Sequence, residues 1–555
     1  MIKARIISSL EKCFLDADPY SFAPLTRITA FKNERISFQI AVLPCGDDAG
    51  MPRKYVDVTA KGRLAGFMTV RSVELIPSLF PCYPDRRDDN YLSFMPGLYP
   101  DLLLPPPDGK PSVIGGQLKS LWITLMPDGS ITGDAPLELF LTCGDEILFS
   151  GTLDIRLIDA ELPPQTLINT QWFHGDCLAT YYDTEVFSEK WWRIVKNFLS
   201  VAVNNGQNMI LTPVFTPPLD TAVGGERPTV QLVDVKLRGG EYSFSYTKLD
   251  RWIDTALSLG FKYLEISHLF TQWGAAHAPK IIADTPDGEK RIFGWETDAS
   301  GEEYTRFLRA FLTDFLAHMK ARGDDKRCFF HISDEPCGSN LAQYLRSKNA
   351  VADLLEGYRI IDALSDIEFY RCGAVRHPVA ATDRINAFLD ENVKELWAYY
   401  CCGQCQNVSN RFFAMPSYRT RCIGFQLFKY DIAGFLQWGY NFYYTWESRG
   451  FADPYRDSTG NYFTPSGDCY SVYPARDGTA LESLRLAVFY EGLQDLRACS
   501  LLASLIGKRE TIALIEKHLG EIAFDKCPHS ALPLLNAREA VNAAVENAIA
   551  ALTTK

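Results

Sequence analysis

Two neighbouring carboxylic acids, Asp334 and Glu335, follow the apolar segment 328–333. Successive side chains of a strand point to opposite faces, but the backbone turns where a strand ends, so both acids can face one pocket there. Hydrolysis of a glycosidic bond needs a proton donor at the leaving oxygen and a second group that handles positive charge at the anomeric carbon. Desolvation and like-charge repulsion would raise the pKa of one acid. The pair therefore predicts acid–base chemistry on a glycoside.

The same residues also suit the entrance of a helix. Aspartate is a favoured N-cap residue, and Pro336 directly after Glu335 is typical of a first helical turn. In that alternative the two acids have a structural role only.

Aromatic residues make up 13% of the chain, and many lie between positions 397 and 455. A flat apolar face beside hydrogen-bonding groups is what a sugar pocket requires. Each of these side chains could instead pack in the core, and a histidine at the end of a strand is often structural. The predicted substrate-binding residues are His268, Trp397, Tyr399, Trp438, Asn441, Tyr444 and Trp446.

Other chemistries find little support. The cluster Cys401-Cys402-x-x-Cys405 lacks the second cysteine pair or spaced histidine of a zinc site, so no metal is expected. No GxSxG elbow and no glycine-rich nucleotide fingerprint occurs, and no cofactor is expected. A net charge of -12 disfavours nucleic acid as a partner. The expected partner is a small glycoside or oligosaccharide.

The location is expected to be cytoplasmic. The first 20 residues contain neither an apolar core nor a cleavage site of a signal peptide. No run of about 18 apolar residues exists to cross a membrane, so no membrane partner is expected. Most of the 15 cysteines lie in apolar runs, which is typical of reduced thiols. The sequence does not indicate an oligomeric state.

Residues 1–160 are predicted to form a β-sandwich that precedes the acids. Ile36, Phe38, Ile40 and Val42 alternate with other residues, and positions 121–125 and 153–157 repeat the pattern. Period-two alternation bounded by turn residues indicates half-buried antiparallel strands.

Residues 161–480 are predicted to form a (β/α)8 barrel. After Pro163-Pro164, amphipathic helical patterns such as 249–259 and 307–319 separate short apolar runs. This alternation indicates βα units around a parallel sheet. The insert 224–240 is expected to be a hairpin on the active-site face. The predicted strand runs are 167–174, 209–215, 263–270, 328–333, 367–372, 396–401 and 434–444.

Residues 481–555 are predicted to be helical and to pack on the barrel, since their apolar residues follow helical spacing. The expected fold class is thus multidomain, α/β plus β.

A long segment resembles a known family. It reads RTRCIGFQLFKYDIAGFLQWGYNFY over 419–443, followed by Asp453-Pro454, Val472-Tyr473-Pro474, LESLRL at 481–486 and EGLQD at 491–495. This resembles the domain of unknown function 4091, the barrel region of proteins similar to glycoside hydrolase family 123, the β-N-acetylgalactosaminidases. Asp334-Glu335-Pro336 resembles the paired acids of that family. The resemblance covers roughly residues 160–500.

The resemblance implies a β-sandwich joined to a barrel and an exo-acting β-N-acetylgalactosaminidase with substrate-assisted, retaining catalysis. The sugar's 2-acetamido oxygen would attack the anomeric carbon and form an oxazoline. Asp334 would orient the acetamido group, and Glu335 would act as general acid and then base. Two alternatives stay open. One is a glycosidase of this type for another β-hexosaminide or a non-acetamido sugar, and the other is a non-catalytic carbohydrate-binding protein.

Overall fold

A β-sandwich, a parallel barrel and a set of helices follow one another along the chain in the computed structural model, which describes residues 2–46 and 53–553. The predicted fold class is confirmed. None of the helices in the described ranges is long and apolar enough to cross a lipid bilayer.

The N-terminal region contains two facing sheets. One is antiparallel with the strand order β1-β3-β9-β6-β7, and the other has the order β10-β12-β11-β5, with β2 parallel to β12. The alternating residues Phe38, Ile40 and Val42 enter the core between the sheets, as predicted. The strands are β1 (Ile2–Ser8), β2 (Arg27–Phe31), β3 (Ile36–Pro44), β4 (Lys54–Tyr55), β5 (Asp57–Lys61), β6 (Met68–Ser78), β7 (Gly97–Leu104), β8 (Ser112–Val113), β9 (Lys119–Leu125), β10 (Gly133–Asp134), β11 (Leu137–Cys143) and β12 (Glu146–Ile158).

The expectation of half-buried strands is wrong for β9, in the middle of the first sheet. In β9, every residue from Ser120 to Leu125 is buried. Trp122 on its outer face joins the large core that also contains the barrel and the C-terminal helices. The middle of the first sheet is therefore covered on both faces.

Eight strands form the barrel, with its helices outside. The strands of the region are β13 (Ile168–Gln171), β14 (Met209–Thr212), β15 (Asp234–Arg238), β16 (Glu241–Ser245), β17 (Tyr263–Ile266), β18 (Ile281–Thr285), β19 (Gly288–Phe293), β20 (Cys328–Phe330), β21 (Arg359–Leu364), β22 (His377–Ala381), β23 (Trp397–Tyr399) and β24 (Gly434–Gln437). The parallel order is β13-β24-β23-β22-β21-β20-β17-β14. The helices are α1 (Gly175–Tyr181), α2 (Glu189–Asn204), α3 (Thr247–Leu259), α4 (Glu302–Arg322), α5 (Leu341–Asn349), α6 (Glu368–Arg371), α7 (Asn386–Asp390) and α8 (Ser417–Lys429).

One predicted barrel strand is wrong. Residues 367–372 contain the short helix α6, and the strands of this region are β21 before it and β22 after it. The two strands read RIIDAL and HPVAA, so Asp362 interrupts one apolar run and His377-Pro378 opens the other. Buried polar residues and a proline hide both strands from a search for continuous apolar runs.

The predicted helices over 249–259 and 307–319 are confirmed as α3 and α4, and each ends at a left-handed glycine, Gly260 or Gly323. The insert 224–240 does not contain a complete hairpin. It holds β15, which pairs with β16 beyond the insert across the turn at Gly239-Gly240, and β18 and β19 extend the pair to a four-stranded sheet.

The C-terminal region comprises a small hairpin and three helices. Gly424 of α8 lies so close to Gly492 that a Cβ on it would come within 2.0 Å of the Gly492 carbonyl oxygen, so only glycine permits this crossing. The elements are β25 (Val472–Pro474), β26 (Ala480–Glu482), α9 (Leu484–Ile506), α10 (Lys508–Leu519) and α11 (Ala531–Thr553).

Candidate active site

A cavity of about 180 Å³ lies at the carboxyl ends of the barrel strands. A larger groove of about 700 Å³ lies near Cys328, Arg359 and His377, where strands begin; barrel enzymes carry their active sites at the other end. The smaller cavity is lined by Trp172, Leu219, Asp220, Gln272, Trp273, Asp334, Glu335, Ala363, Tyr399, Cys401, Cys402, Leu436, Trp438, Trp446 and Phe463.

Asp334 and Glu335 both face this cavity, just beyond the end of β20. Glu335 has a left-handed φ of 41°, so the backbone is not extended here and neighbouring side chains need not point to opposite sides. The Asp334 carbonyl oxygen accepts a hydrogen bond from the Trp273 N–H at 2.8 Å. The next helical turn begins only at Gly338, with Cys337 as its N-cap, so neither acid has the helix-entrance role of the alternative interpretation.

The two carboxyl groups have different partners. The Tyr399 hydroxyl donates a hydrogen bond of 2.7 Å to Oε1 of Glu335. Within the described ranges, the structure shows no hydrogen bond to the Asp334 carboxylate. Burial raises the pKa of both acids, and the neighbouring Glu335 charge raises that of Asp334 further, well above its usual range. The hydrogen bond from Tyr399 offsets part of this rise in the pKa of Glu335. Between the two, ionisation of Glu335 is favoured in the protein alone.

A buried ionic network supports the strand that carries the acids. His331 contacts Glu265 at 2.7 Å through Nε2 and Asp362 at 3.2 Å through Nδ1, and all three side chains are inaccessible to solvent. Burial opposes the charged imidazole, but the hydrogen bonds with the two carboxylates raise the pKa of His331 to about 9. Glu265 also accepts a hydrogen bond of 2.8 Å from Trp172, which lines the cavity. The network links the end of β20 to the cavity wall.

Two further acids near the cavity are absent from the sequence-based prediction. Asp220 lines the cavity on the loop after β14, and burial raises its pKa to about 7. Asp468 lies behind Trp438 and accepts a hydrogen bond of 2.9 Å from its Nε1; burial raises the pKa of Asp468 to about 6. Both residues lie in irregular segments without strand or helix periodicity, so no sequence pattern marks them.

Aromatic side chains form much of the remaining wall. The predicted residues Tyr399, Trp438 and Trp446 line the cavity. Phe463 and Trp273, which were not predicted, line it as well. Trp273 and Trp446 are 47% and 49% exposed, unusually high fractions for tryptophan. The sequence analysis did not predict Trp273, although its position three residues after the predicted strand 263–270 would have marked it.

Four predicted binding residues do not line the cavity. His268 is buried and stacks on His331 with ring centroids 4.2 Å apart, and burial holds its pKa well below the usual range. Trp397 lies at the start of β23, packed in the barrel core against Gly434. The Asn441 side chain bridges the backbone of His174. The Tyr444 hydroxyl bonds Thr180 at 2.7 Å. For these four positions the packing alternative describes the structure.

The cavity also exposes thiols. Cys401 and Cys402 line it, and neither forms a disulfide bond. Across residues 2–46 and 53–553, no group of three or more His, Cys, Asp and Glu side chains is placed to hold a metal ion.

The chain is similar to known glycoside hydrolases. The family description "Glycoside hydrolase 123, catalytic domain" matches residues 172–502. A family 123 glycoside hydrolase from Clostridium perfringens, whose structure concerns glycolipid glycan hydrolysis, shares the fold: the TM-score is 0.76 at 16% identity, over 100% of both chains.

Weaker structural matches include a Bacteroides ovatus family 5 xyloglucanase, with 9% identity and a TM-score of 0.31 over 84% of this chain and 97% of that one. A family 39 glycoside hydrolase from Bacteroides cellulosilyticus has 10% identity and a TM-score of 0.32 over 80% of each chain. Neither supports an argument. A search of the curated proteins found no match.

Proposed function

We propose that this chain, which belongs to the glycoside hydrolase 123 family, is an exo-acting β-N-acetylgalactosaminidase. It is a glycoside hydrolase, and the proposal concerns its sugar and mechanism. The observation that carries the proposal is the pair of adjacent acids in one small cavity, one held by Tyr399 and the other without a hydrogen-bond partner in the described ranges. Two unequal acids suit two different roles.

In the first step, the 2-acetamido carbonyl oxygen of the bound sugar attacks the anomeric carbon as the bond to the leaving oxygen breaks. Glu335 gives its proton to that oxygen, and Asp334 accepts a hydrogen bond from the acetamido N–H, which becomes more acidic as positive charge develops. The product of this step is the protonated oxazoline (an oxazolinium ion), whose N–H stays hydrogen-bonded to the Asp334 carboxylate. In the second step, water attacks the anomeric carbon, Glu335 takes a proton from it, and the acetamido group is restored with net retention.

The unequal environments of the acids suggest how the shared proton comes to reside on Glu335 when the substrate binds. In the protein alone, Tyr399 favours an ionised Glu335, whereas the leaving group requires a protonated one. An acetamido N–H donated to Asp334 would favour the charged form of Asp334. The proton shared by the pair would then reside on Glu335, so a substrate with an acetamido group prepares the general acid as it binds.

The size of the cavity supports exo action. A volume of about 180 Å³ falls below the roughly 300–1,000 Å³ of sites for drug-sized ligands and suits a single sugar residue. The exposed faces of Trp273 and Trp446 offer stacking surfaces for the rest of a glycan. We include the glycolipid glycans named for the Clostridium perfringens enzyme among the candidate substrates.

We also propose that the enzyme works on small imported glycosides in the cytoplasm. The thiols of Cys401 and Cys402, which form no disulfide bond, support this location, because disulfides persist in oxidising compartments and are rare in the cytoplasm. Cys401 and Cys402 line the cavity, so oxidation would place a modified sulfur beside the substrate.

A panel of nitrophenyl glycosides tests the proposal. The expected result is hydrolysis of the β-N-acetylgalactosaminide with a kcat/KM at least tenfold above that of the β-N-acetylglucosaminide and far above that of the β-galactoside, which lacks the acetamido nucleophile. Preference for another β-hexosaminide or for a sugar without an acetamido group would favour the second hypothesis. Binding without hydrolysis of any member would favour a carbohydrate-binding protein.

A further inference from the structure

Asp220 lines the cavity and lies on a loop whose backbone is held by hydrogen bonds from other segments. Its N–H donates a hydrogen bond of 2.5 Å to Oε1 of Gln272, and its carbonyl oxygen accepts one of 2.7 Å from Ser448. Its φ is 49°, a conformation in which aspartate and asparagine are enriched among the non-glycine residues. The main chain therefore places this carboxyl group at a fixed point of the wall.

The carboxyl group itself has no hydrogen bond within residues 2–46 and 53–553. Its Oδ2 is shielded from solvent and has no partner. The nearby Arg227 is committed elsewhere, since it binds both oxygens of Asp176 at 2.7 and 2.9 Å and the Leu219 carbonyl oxygen at 2.9 Å. A buried acceptor without a hydrogen bond lowers the stability of the folded state, so the fold tolerates Asp220 in this position at some expense of stability.

Such groups are found where a ligand supplies the missing donor. The other two acids that line the cavity have roles in the proposed mechanism, Glu335 at the leaving oxygen and Asp334 at the acetamido N–H, and Asp468 behind the wall binds Trp438. A sugar residue held by them still presents hydroxyl donors. We propose that Asp220 accepts a hydrogen bond from one hydroxyl, O3, O4 or O6, of the sugar whose glycosidic bond is cleaved, and so determines which sugars are substrates.

This inference rests on the proposed function for the orientation of the sugar, but the acceptor role of Asp220 does not require an acetamido group. A site built to bind a hydroxyl discriminates strongly against an analogue that lacks it, because the buried acceptor is then left unpaired. An axial hydroxyl and its equatorial epimer cannot both reach one fixed carboxylate. Asp220 therefore supplies a means to distinguish epimeric sugars.

The test compares four substrates with four proteins. The substrates are the best nitrophenyl glycoside of the wild type and its 3-, 4- and 6-deoxy analogues. The proteins are the wild type, Asp220→Asn, Asp220→Gly and the control Asp183→Gly, which removes an exposed aspartate of similar φ (44°) outside the cavity. Glycine and asparagine both tolerate the positive φ, so the variants keep the loop conformation. Calorimetric binding of the parent monosaccharide and its deoxy forms accompanies the kinetics.

In the wild type and the Asp183 control, one deoxy analogue should lose about 10- to 100-fold in kcat/KM, the range of a hydrogen bond to a charged group. In Asp220→Gly, kcat/KM for the parent substrate should fall by a similar factor. The ratio of kcat/KM between the parent and that deoxy analogue should shrink below threefold, and the corresponding ratios for the other two analogues should not change. Asp220→Asn, which keeps a neutral acceptor, should lie between. Equal losses on all four substrates, with every deoxy penalty retained, would overturn the proposal.

The outcomes also separate this inference from the proposed function. The best substrate could prove to be a sugar without an acetamido group, with the penalty of one deoxy analogue still depending on Asp220. That coupling between Asp220 and one hydroxyl would support the inference and reject the substrate-assisted mechanism. If no glycoside is hydrolysed, the same coupling must be visible in the calorimetric affinities. Absence of any coupling, or of any sugar binding, rejects the role of Asp220.

Discussion

At the scale of single residues, the two acids differ in ways that leaving-group chemistry can resolve. Glu335→Gln should lose about 10²–10⁴-fold in kcat/KM on substrates with poor leaving groups, because general acid catalysis is typically worth that much. The loss should shrink for nitrophenyl substrates, which need little protonation. Asp334→Asn keeps the shape but removes the negative charge, so it should slow every substrate whatever its leaving group.

The measurement is the dependence of kcat/KM on leaving-group pKa for both variants. If Asp334→Asn recovers on activated substrates and Glu335→Gln does not, the two roles are reversed. If a thiazoline analogue fails to inhibit and a covalent glycosyl-enzyme can be trapped on either acid, the enzyme is a two-carboxylate retaining glycosidase.

Tyr399 should control the pH at which the general acid is lost. Its hydroxyl stabilises the charged form of Glu335 and so lowers that pKa. Glu335 must be protonated to act, so activity falls as pH rises through its pKa. Tyr399→Phe removes the donor and raises the pKa of Glu335. It should move the basic limb of the kcat profile, which reports the complex in which Glu335 holds the proton, to higher pH by about 1 unit, equivalent to about 1.4 kcal/mol.

The adjacent Tyr400→Phe is the matched control, since Tyr400 packs against Phe435 outside the cavity. Its profile should follow that of the wild type. A basic limb that stays in place in Tyr399→Phe, or moves to lower pH, contradicts the assignment of Glu335 as the acid.

The sequence was informative about residues that follow a regular element and silent about the others. Asp334, Glu335, Tyr399 and Trp438 lie at or just after strands with recognisable apolar runs, and all four line the cavity. Asp220 depends on a loop closed by Gln272 and Ser448, contacts that bring together distant parts of the chain. The directions of side chains also escaped the sequence: Trp397 and Tyr399 share a face of β23, yet only Tyr399 lies far enough along the strand to reach the cavity.

At the scale of elements, buried polar residues inside barrel strands make those strands hard to recognise from the sequence, and they also support the site. Asp362 in the middle of β21 accepts hydrogen bonds from Tyr344 and from the Ile332 N–H at 3.0 Å, besides its contact with His331. This buried acid made β21 unrecognisable as an apolar run, and it joins β21 to the end of β20. The strand that the sequence analysis missed thus supports the segment whose acids it found.

The loop after β24 supplies the aromatic wall, and Trp438 tests its role. Trp438→Ala removes both the stacking surface and the hydrogen bond to Asp468, so kcat/KM should fall more than tenfold while the fold is kept. Trp438→Phe retains a flat ring and should lose less. Steady-state kinetics together with circular dichroism provide the measurement. A change of less than about threefold in Trp438→Ala would mean that the residue only packs.

At the scale of the whole molecule, the sandwich and the barrel share one continuous core. Trp122 of β9 belongs to the same buried cluster as the barrel and the C-terminal helices. Arg485 of α9 and Asp101 of β7 form an ion pair at 2.8 Å with both side chains inaccessible to solvent. Lys12 reaches across from the sandwich to the carbonyl oxygens of Phe413 and Met415 at 2.8 and 2.7 Å. These contacts explain why the outer face of β9 is buried.

We propose the boundaries 1–160, 161–480 and 481–555 as structural regions, and we predict that they do not fold independently. A fragment of residues 161–555 would lack Asp101 and leave Arg485 buried without its partner, and breaking a buried pair in this way costs about 3–5 kcal/mol. It would also expose the apolar surface that Trp122 covers. Because a whole domain is stable by only about 5–15 kcal/mol, the fragment should be insoluble or inactive.

Limited proteolysis of the full chain, followed by activity measurements on the products, checks this prediction. Cleavage near Pro163-Pro164 should either be slow or leave the two parts associated through gel filtration. The variant Asp101→Asn in the full chain serves as the graded control: it removes one charge of the buried pair and should lower the denaturation midpoint without releasing a fragment. Release of a stable, fully active barrel would show instead that the sandwich is a separate module, and that the shared core contributes little to the free energy of unfolding of the barrel.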